Sequence, residues 1–259
     1  MTAMTRLHVL REGHGPSLLL LHGIGSSATA WTQQMERLGA EFTCLAPDLP
    51  GYGESPDATG PGLDAIVAEV ADVLDGIPAH VLGVSFGALT ALALARHRPD
   101  LVTSLVLSDA TLGRAHLPLE ERQRWVRHRE GLANDLAKRS VERAGEIAGR
   151  HATPEVIEEI ARHMRRARPS GYMTVARAIA ETDARPWLGS IGQPTLVLCG
   201  EDDRVTGMAV SQTLLDQLAN ASLLVIPGAG HAPHIEQPDR FAQAVREFLR
   251  LHAEKPAPV

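Results

Sequence analysis

His80-Val81-Leu82-Gly83-Val84-Ser85-Phe86-Gly87-Ala88-Leu89 is the stretch on which the reading of this chain turns. An apolar run from His80 to Val84 ends abruptly at a serine, and a helical pattern opens at Gly87 and runs to His97. Gly83-Val84-Ser85-Phe86-Gly87 therefore fits G-x-S-x-G in the strand–turn–helix setting that gives the pattern its meaning. Such a turn lifts the serine hydroxyl clear of the backbone. Small residues two before and two after it let neighbouring chain approach without a clash. The helix behind the serine points its free N–H groups at the same spot and favours negative charge there. A plain strand–helix turn is the bland alternative; the setting favours a nucleophile.

The same rhythm continues on either side. Apolar runs at Leu18–Leu21, Phe42–Ala46, Ser104–Leu107, Thr195–Cys199 and Ser222–Ile226 show no polar alternation, as expected of parallel strands buried on both faces. Helical stretches such as Leu63–Leu74 and Asp239–His252 lie between or after them. Strand–helix alternation predicts an α/β fold, a mostly parallel, doubly wound sheet, with its ligand site beyond the C-terminal strand ends. From Leu112 to Pro186 no strand is expected, and Thr153-Pro154-Glu155 reads as a capped helix start. We read residues 112–186 as a helical cap inserted into a core formed by residues 1–111 and 187–259. The insertion carries 15 of the 25 lysines and arginines but 11 of the 31 aspartates and glutamates, a net +4 against −10 for the rest. Solvated helix faces explain such a bias in most chains; attraction of an anionic substrate is the functional reading.

A serine needs a base, and the base needs an orienting carboxylate. His231, in Gly228-Ala229-Gly230-His231 directly after the last apolar run, is the candidate base, with His234 as its rival. Gly200-Glu201-Asp202-Asp203 follows Thr195–Cys199; Asp203 is the candidate acid, Asp202 its close rival, and Asp109 a third choice. The order serine, acid, histidine along the chain suits this fold. The N–H groups of Phe86 and of Ile24, in the loop His22-Gly23-Ile24-Gly25, are expected to form an oxyanion hole, with His22 itself structural. Candidate substrate contacts are Trp31, Arg114, Trp125, Arg129, Tyr172 and Trp187, although core packing or helix surface accounts for each equally well. Aromatic residues make up only 3% of the chain, so a large aromatic cage is not expected. A cap arginine pairing with a substrate carboxylate would suit the basic insertion.

Composition bounds the partners. With 259 residues, 44% apolar and 22% charged, the chain can bury a substantial core and reads as globular. A net charge of −6 does not suggest nucleic acid. Cys44 and Cys199 lie within apolar runs and read as buried thiols; no metal-ligand spacing is visible, and no cofactor is expected. Met1–Leu7 has no apolar signal core, and no uncharged apolar run approaches the roughly 18 residues of a membrane span. The expectation is a cytoplasmic protein, monomeric or homodimeric, acting on a small molecule.

Together, His22-Gly23-Ile24-Gly25, Asp48-Leu49-Pro50-Gly51-Tyr52-Gly53-Glu54-Ser55, Gly83-Val84-Ser85-Phe86-Gly87, Gly200-Glu201-Asp202-Asp203 and Gly230-His231…Glu236-Gln237-Pro238 resemble the α/β-hydrolase superfamily over most of the chain. The resemblance implies that the acid stands three residues after the strand-closing glycine, which is Asp203, and that a helical cap follows the strand ending near Asp109. Within the superfamily the chain is similar to 3-oxoadipate enol-lactonase-type hydrolases and to C–C hydrolases of aromatic ring-cleavage products. It departs from many relatives in having Val84, not histidine, before the serine, and its oxyanion loop lacks the Gly-Gly-Pro run of the C–C hydrolases. The resemblance implies a serine esterase or lactonase. C–C bond hydrolysis and a slowly turning ligand receptor are the alternatives.

Overall fold

The computed structural model describes residues 5–252; the outer ends of the Met1–Leu7 stretch and of the core segments 1–111 and 187–259 lie outside them. Seven strands form one sheet: β1 Val9–Glu12, β2 Ser17–Leu21, β3 Thr43–Pro47, β4 Ala79–Val84, β5 Val102–Ser108, β6 Thr195–Gly200 and β7 Ala221–Ile226. They lie in the order β1-β3-β2-β4-β5-β6-β7. Only β1 runs antiparallel to its neighbour, with Val9 opposite Pro47. The mostly parallel α/β architecture expected from the apolar runs is the one observed.

Alternate strand residues feed two separate cores. Leu19, Leu21, Val81, Leu105, Leu107 and Val197 face α2 (Gly62–Asp72), α3 (Phe86–His97) and α7 (Gly207–Gln217). Leu18, Leu20, Leu82, Val106, Leu196 and Leu198 face α1 (Thr32–Leu38) and α9 (Pro238–His252), where Phe241, Val245 and Leu249 meet them. Burial on both faces is why these strands show no polar alternation. β7 is the exception. As the sheet edge it leaves Leu224 and Val225 about two-fifths exposed, so its apolar run does not mark a strand buried on both sides.

Between β5 and β6 lie α4 (Leu119–Ile147), α5 (Pro154–Met164) and α6 (Pro169–Glu181). α4 is a long, largely polar helix held by a stripe of Leu132, Leu136, Ser140 and Ala144, four residues apart and therefore on one face. That face joins Ile160, Met164 and Tyr172 in a third apolar cluster. Thr153 caps α5 by accepting the Val156 N–H, with Pro154 at the first helical position. The two chains that connect this segment to the sheet run side by side: Gly113 bridges Asp183 antiparallel, and the Ala184 N–H donates to the Leu112 carbonyl at 2.9 Å. Among the described residues no helix is long and apolar enough to cross a membrane. Cys44 and Cys199 are buried free thiols, and burial pushes their pKa values up to about 12 and about 11.

Two glycines fix how closely α3 packs behind the β4 turn. A Cβ on Gly83 would collide with the backbone of Gly87 and Ala88, and one on Gly87 with the Leu21 carbonyl. Both neighbours are backbone that cannot yield. Gly87→Ala is therefore expected to lower the melting temperature sharply or to prevent soluble expression, at a cost of several kcal/mol, at or above the ~1–3 kcal/mol typical of overpacking. A thermal melt near wild type would contradict this close approach.

Candidate active site

The strand ends converge on Ser85. It sits at φ 56°, ψ −112°, a left-handed conformation that a non-glycine residue avoids unless its surroundings enforce it. The Ser85 N–H donates to the Ser108 carbonyl at 2.9 Å, and its own carbonyl accepts the Ala88 and Leu89 N–H groups as the helix begins. The Gly23 loop closes over it, so that a Cβ at Gly23 would stand 3.2 Å from the Ser85 Cβ. Among the described residues the N–H groups of Ile24 and Phe86 meet no protein acceptor. Both belong to segments that flank Ser85.

His22 anchors that loop. Its Nδ1 lies 2.9 Å from the Gly23 carbonyl, and its Nε2 accepts the Leu49 N–H at 3.0 Å. Acceptance at Nε2 makes Nδ1 the protonated nitrogen of a neutral ring, and burial lowers its pKa. Asp48, almost wholly buried, braces the next stretch by accepting the Ala28 and Glu54 N–H groups and pairing with His8. Asp48–Ser55 is thus a scaffold for the loop and contributes no reacting group.

Asp203 and His231 meet at 3.0 Å, Oδ1 to Nδ1. The Asp203 carboxylate is fully enclosed, and it also accepts N–H groups from Val205 and Gly207 and the Thr206 hydroxyl at 2.6 Å. Burial alone would raise its pKa; the His231, Thr206 and Gly207 contacts outweigh that and hold it well below the usual carboxylate range. Ser85, His231 and Thr206 line one cavity of ≈ 410 Å³.

The rivals stand elsewhere. Asp202 turns away to Arg150, accepting both its backbone N–H at 3.0 Å and its guanidinium. His234 lies within the aromatic packing, its ring 4.7 Å from Trp31 and 6.0 Å from Phe241, and burial drops its pKa to about 3. Asp109 accepts the Gly200 N–H at 2.8 Å and the Ser108 hydroxyl at 2.6 Å, beneath Asp203 and His231. Burial first, and then the Asp203 charge, raise its pKa from 3.8 to about 7 against the opposing pull of His231. A carboxyl whose folded pKa is raised contributes stability below about pH 4 that is lost as the pH climbs through about 7. Asp109→Asn keeps an acceptor for Gly200 and removes that titration. Its melting temperature relative to wild type should therefore be higher at pH 8 than at pH 5. An equal difference at both pH values would refute the shift.

Of the residues read from sequence as substrate contacts, the structure puts Arg114, Trp125, Arg129 and Tyr172 on the cavity wall. Trp31 is corrected: it is completely buried in the α1–α9 core, because Ala28–Trp31 folds as a short 3-10 turn that drives the indole under the sheet. Trp187 is corrected too. It packs outside the cavity with the Arg96 guanidinium 4.8 Å over its ring. Sequence reading passed over Thr206, Arg143 and Arg185, which line the cavity, and Glu236. The Glu236 carboxylate accepts N–H groups from Gly149, Gly230 and Ala232 and so clamps the turn that carries His231. Its place in the Glu236-Gln237-Pro238 motif was the available signal.

The model of the alpha/beta hydrolase family matches residues 18–244. The chain is 29% identical over 241 residues to 3-oxoadipate enol-lactonase 2 of Acinetobacter baylyi, covering 91% of this chain and 89% of that protein. It is 29% identical over 247 residues to the pimeloyl-[acyl-carrier protein] methyl ester esterase of Nitrosomonas europaea, covering 92% and 97%. Among solved structures, a malate-bound thermophilic esterase from Thermogutta terrifontis superposes with a TM-score of 0.87 at 30% identity, over 95% of this chain and 94% of that one.

Proposed function

The chain belongs to the alpha/beta hydrolase family, and on that premise we propose that it hydrolyses a carboxylic ester or lactone through an acyl-enzyme formed on Ser85. The observation that carries this reading is a strained serine lining the same cavity as a histidine whose far nitrogen is tied to a buried, ionised aspartate. With Nδ1–H donated to Asp203, His231 presents Nε2 as the base. Ser85 Oγ attacks the carbonyl carbon as its proton passes to Nε2. The N–H groups of Ile24 and Phe86 hold the oxyanion, and loss of one such donor typically slows the reaction about 100- to 1,000-fold. The imidazolium returns the proton to the leaving oxygen; water then repeats the sequence and frees the acid. Asp203 stabilises the imidazolium without accepting its proton.

Residues 112–186 act in this reading as a cap, since α4 and α6 supply Trp125, Arg129 and Tyr172 to the wall facing Ser85. The esterase and lactonase names of the relatives at about 29% identity support ester chemistry without fixing the substrate. A fluorophosphonate tests the reading directly. One equivalent should bind covalently at Ser85, located by peptide mass, and abolish p-nitrophenyl ester turnover. Labelling elsewhere, or turnover that survives full labelling, would overturn it.

A further inference from the structure

Ser85 and His231 also line a second, smaller cavity of ≈ 50 Å³, whose wall includes Val84, Ile160, His163 and His234. Its lining overlaps that of an outer cavity of ≈ 480 Å³ between the Ala28–Trp31 turn and α5, where Thr29, Ala30, Glu159 and Arg162 stand. His163, His234 and Ile235 belong to both linings and so form the partition between the two. None of these three lines the ≈ 410 Å³ cavity described above. Ser85 is therefore approached from two directions, by two different sets of side chains.

The partition is polar, and its polar groups are incompletely paired. His163, 3% exposed, spans from core to α5: its Nδ1 lies 3.0 Å from the Thr29 hydroxyl and its Nε2 3.1 Å from the Glu159 carboxylate. A carboxylate can only accept, so Nε2 carries a proton, and burial, offset in part by Glu159, lowers the pKa of the ring. His234, 5% exposed, is kept neutral by burial, and its buried Nδ1 has no hydrogen-bond partner among the described residues. Two neighbours share that condition. The Trp31 indole, 4.7 Å from the His234 ring, leaves its Nε1 unpaired, and Gln34, whose amide donates to the His234 carbonyl at 2.9 Å, leaves its Oε1 unpaired. Buried polar atoms of this kind are met by ordered water. A cavity of ≈ 50 Å³ has room for it, since one water needs only ~10–15 Å³ of such space. A neutral imidazole, donor at one nitrogen and acceptor at the other, is suited to hold a water in place.

We propose that this seam between α5 and the core is a separate entrance for the hydrolytic water, which passes His163 and is held by His234 beside Ser85 and His231 while the acyl group occupies the larger cavity. This rests on the acyl-enzyme reading above. In the step it serves, the water oxygen bonds to the acyl carbon as one water proton passes to His231 Nε2. The carbonyl then reforms, the bond to Ser85 Oγ breaks, and His231 returns the proton to Oγ. An acyl chain seated in the ≈ 410 Å³ cavity bars water from that side, whereas the seam stays open. His163 and His234 are thus positioning residues. Their loss should slow deacylation and spare acylation, which consumes no water.

Rapid-quench single turnovers with p-nitrophenyl butyrate separate the two steps: nitrophenol release reports acylation, and the intact mass of the protein reports the life of butyryl-Ser85. His163→Phe keeps a ring and removes both nitrogens. It should leave acylation within about twofold of wild type and lengthen the life of the acyl-enzyme at least about tenfold, with part of the loss recovered in His163→Gln. Ala30→Leu narrows the outer cavity from the core side without touching a histidine, and should show the same split. Fluorophosphonate labelling needs the triad but no water, so its rate should match wild type in all three variants. A butyryl-enzyme no longer-lived than that of wild type in both His163→Phe and Ala30→Leu would overturn the entrance. So would acylation and deacylation falling together, or loss of labelling in both variants, since the seam would then serve only to hold α5 against the core. Nitrophenol release that persists in Ser85→Ala would instead overturn the acyl-enzyme reading itself.

Discussion

Ser85→Ala should lower p-nitrophenyl acetate and butyrate turnover at least about 10,000-fold, as removal of the nucleophile does in serine hydrolases with a comparable triad. The hydroxyl is the one atom lost, and no structural hydrogen bond of the described residues depends on it; the Ser85 contacts run through backbone N–H and carbonyl groups. Alanine at φ 56° keeps the backbone strain, so the melting temperature should stay near that of wild type. Ser85→Gly gives a second readout. Glycine tolerates that φ, and relief of strain of order 1–3 kcal/mol should raise the melting temperature while turnover stays lost. An active Ser85→Ala enzyme would end the assignment of the nucleophile. A glycine variant less stable than the alanine one would remove the strain from the account.

Asp203→Asn should reduce kcat by about 10,000-fold with a modest change in KM. The amide keeps the size of the carboxylate but loses its charge, so it neither fixes the Nδ1–H tautomer of His231 nor stabilises the imidazolium. Asp202→Asn separates the neighbouring acids. Its partner is Arg150, not the histidine, so that variant should retain most of kcat and register chiefly as weakened anchoring of the α4–α5 corner. The two variants exchanging these outcomes would transfer the orienting role to Asp202. Because Asp203 is held below the usual carboxylate range, it stays ionised through mildly acidic pH. Loss of activity there cannot come from its protonation.

Much of this could be read in the chain before any coordinates. The buried strands declare themselves because each must satisfy a core on both faces, as Leu18–Leu21 does with alternate leucines. The turn at Ser85 is legible because close backbone approach demands glycine at 83 and 87. What local pattern alone does not decide is set by three-dimensional neighbours. The exposed edge of β7 follows from its place at the end of the strand order among the described residues, which no local pattern reports. Trp31 and Trp125 look alike as exposed-loop or helix aromatics, yet one is wedged under the sheet and the other lines the cavity. Asp202 and Asp203 are adjacent and chemically identical; only the positions of Arg150 and His231 distinguish them.

The joint between the helical segment and the histidine turn has a consequence for how such proteins can be recombined. The His231 N–H donates to the Ile147 carbonyl at 2.8 Å, Arg204 donates to Ala148 at 3.0 Å, and Glu236 gathers the N–H groups of Gly149 and Gly230. A Cβ on Gly230 would strike Ile147 and Ala148, so the two backbones are interlocked. A chimera that exchanges residues 112–186 for those of a relative would replace half of the socket in which the histidine is seated. Such a graft would have to carry its own 228–236 turn with it. The inserted helices and the turn that carries His231 are thus tied together at this joint, while the segment's other attachment is the pair of chains that run side by side at Gly113 and Asp183.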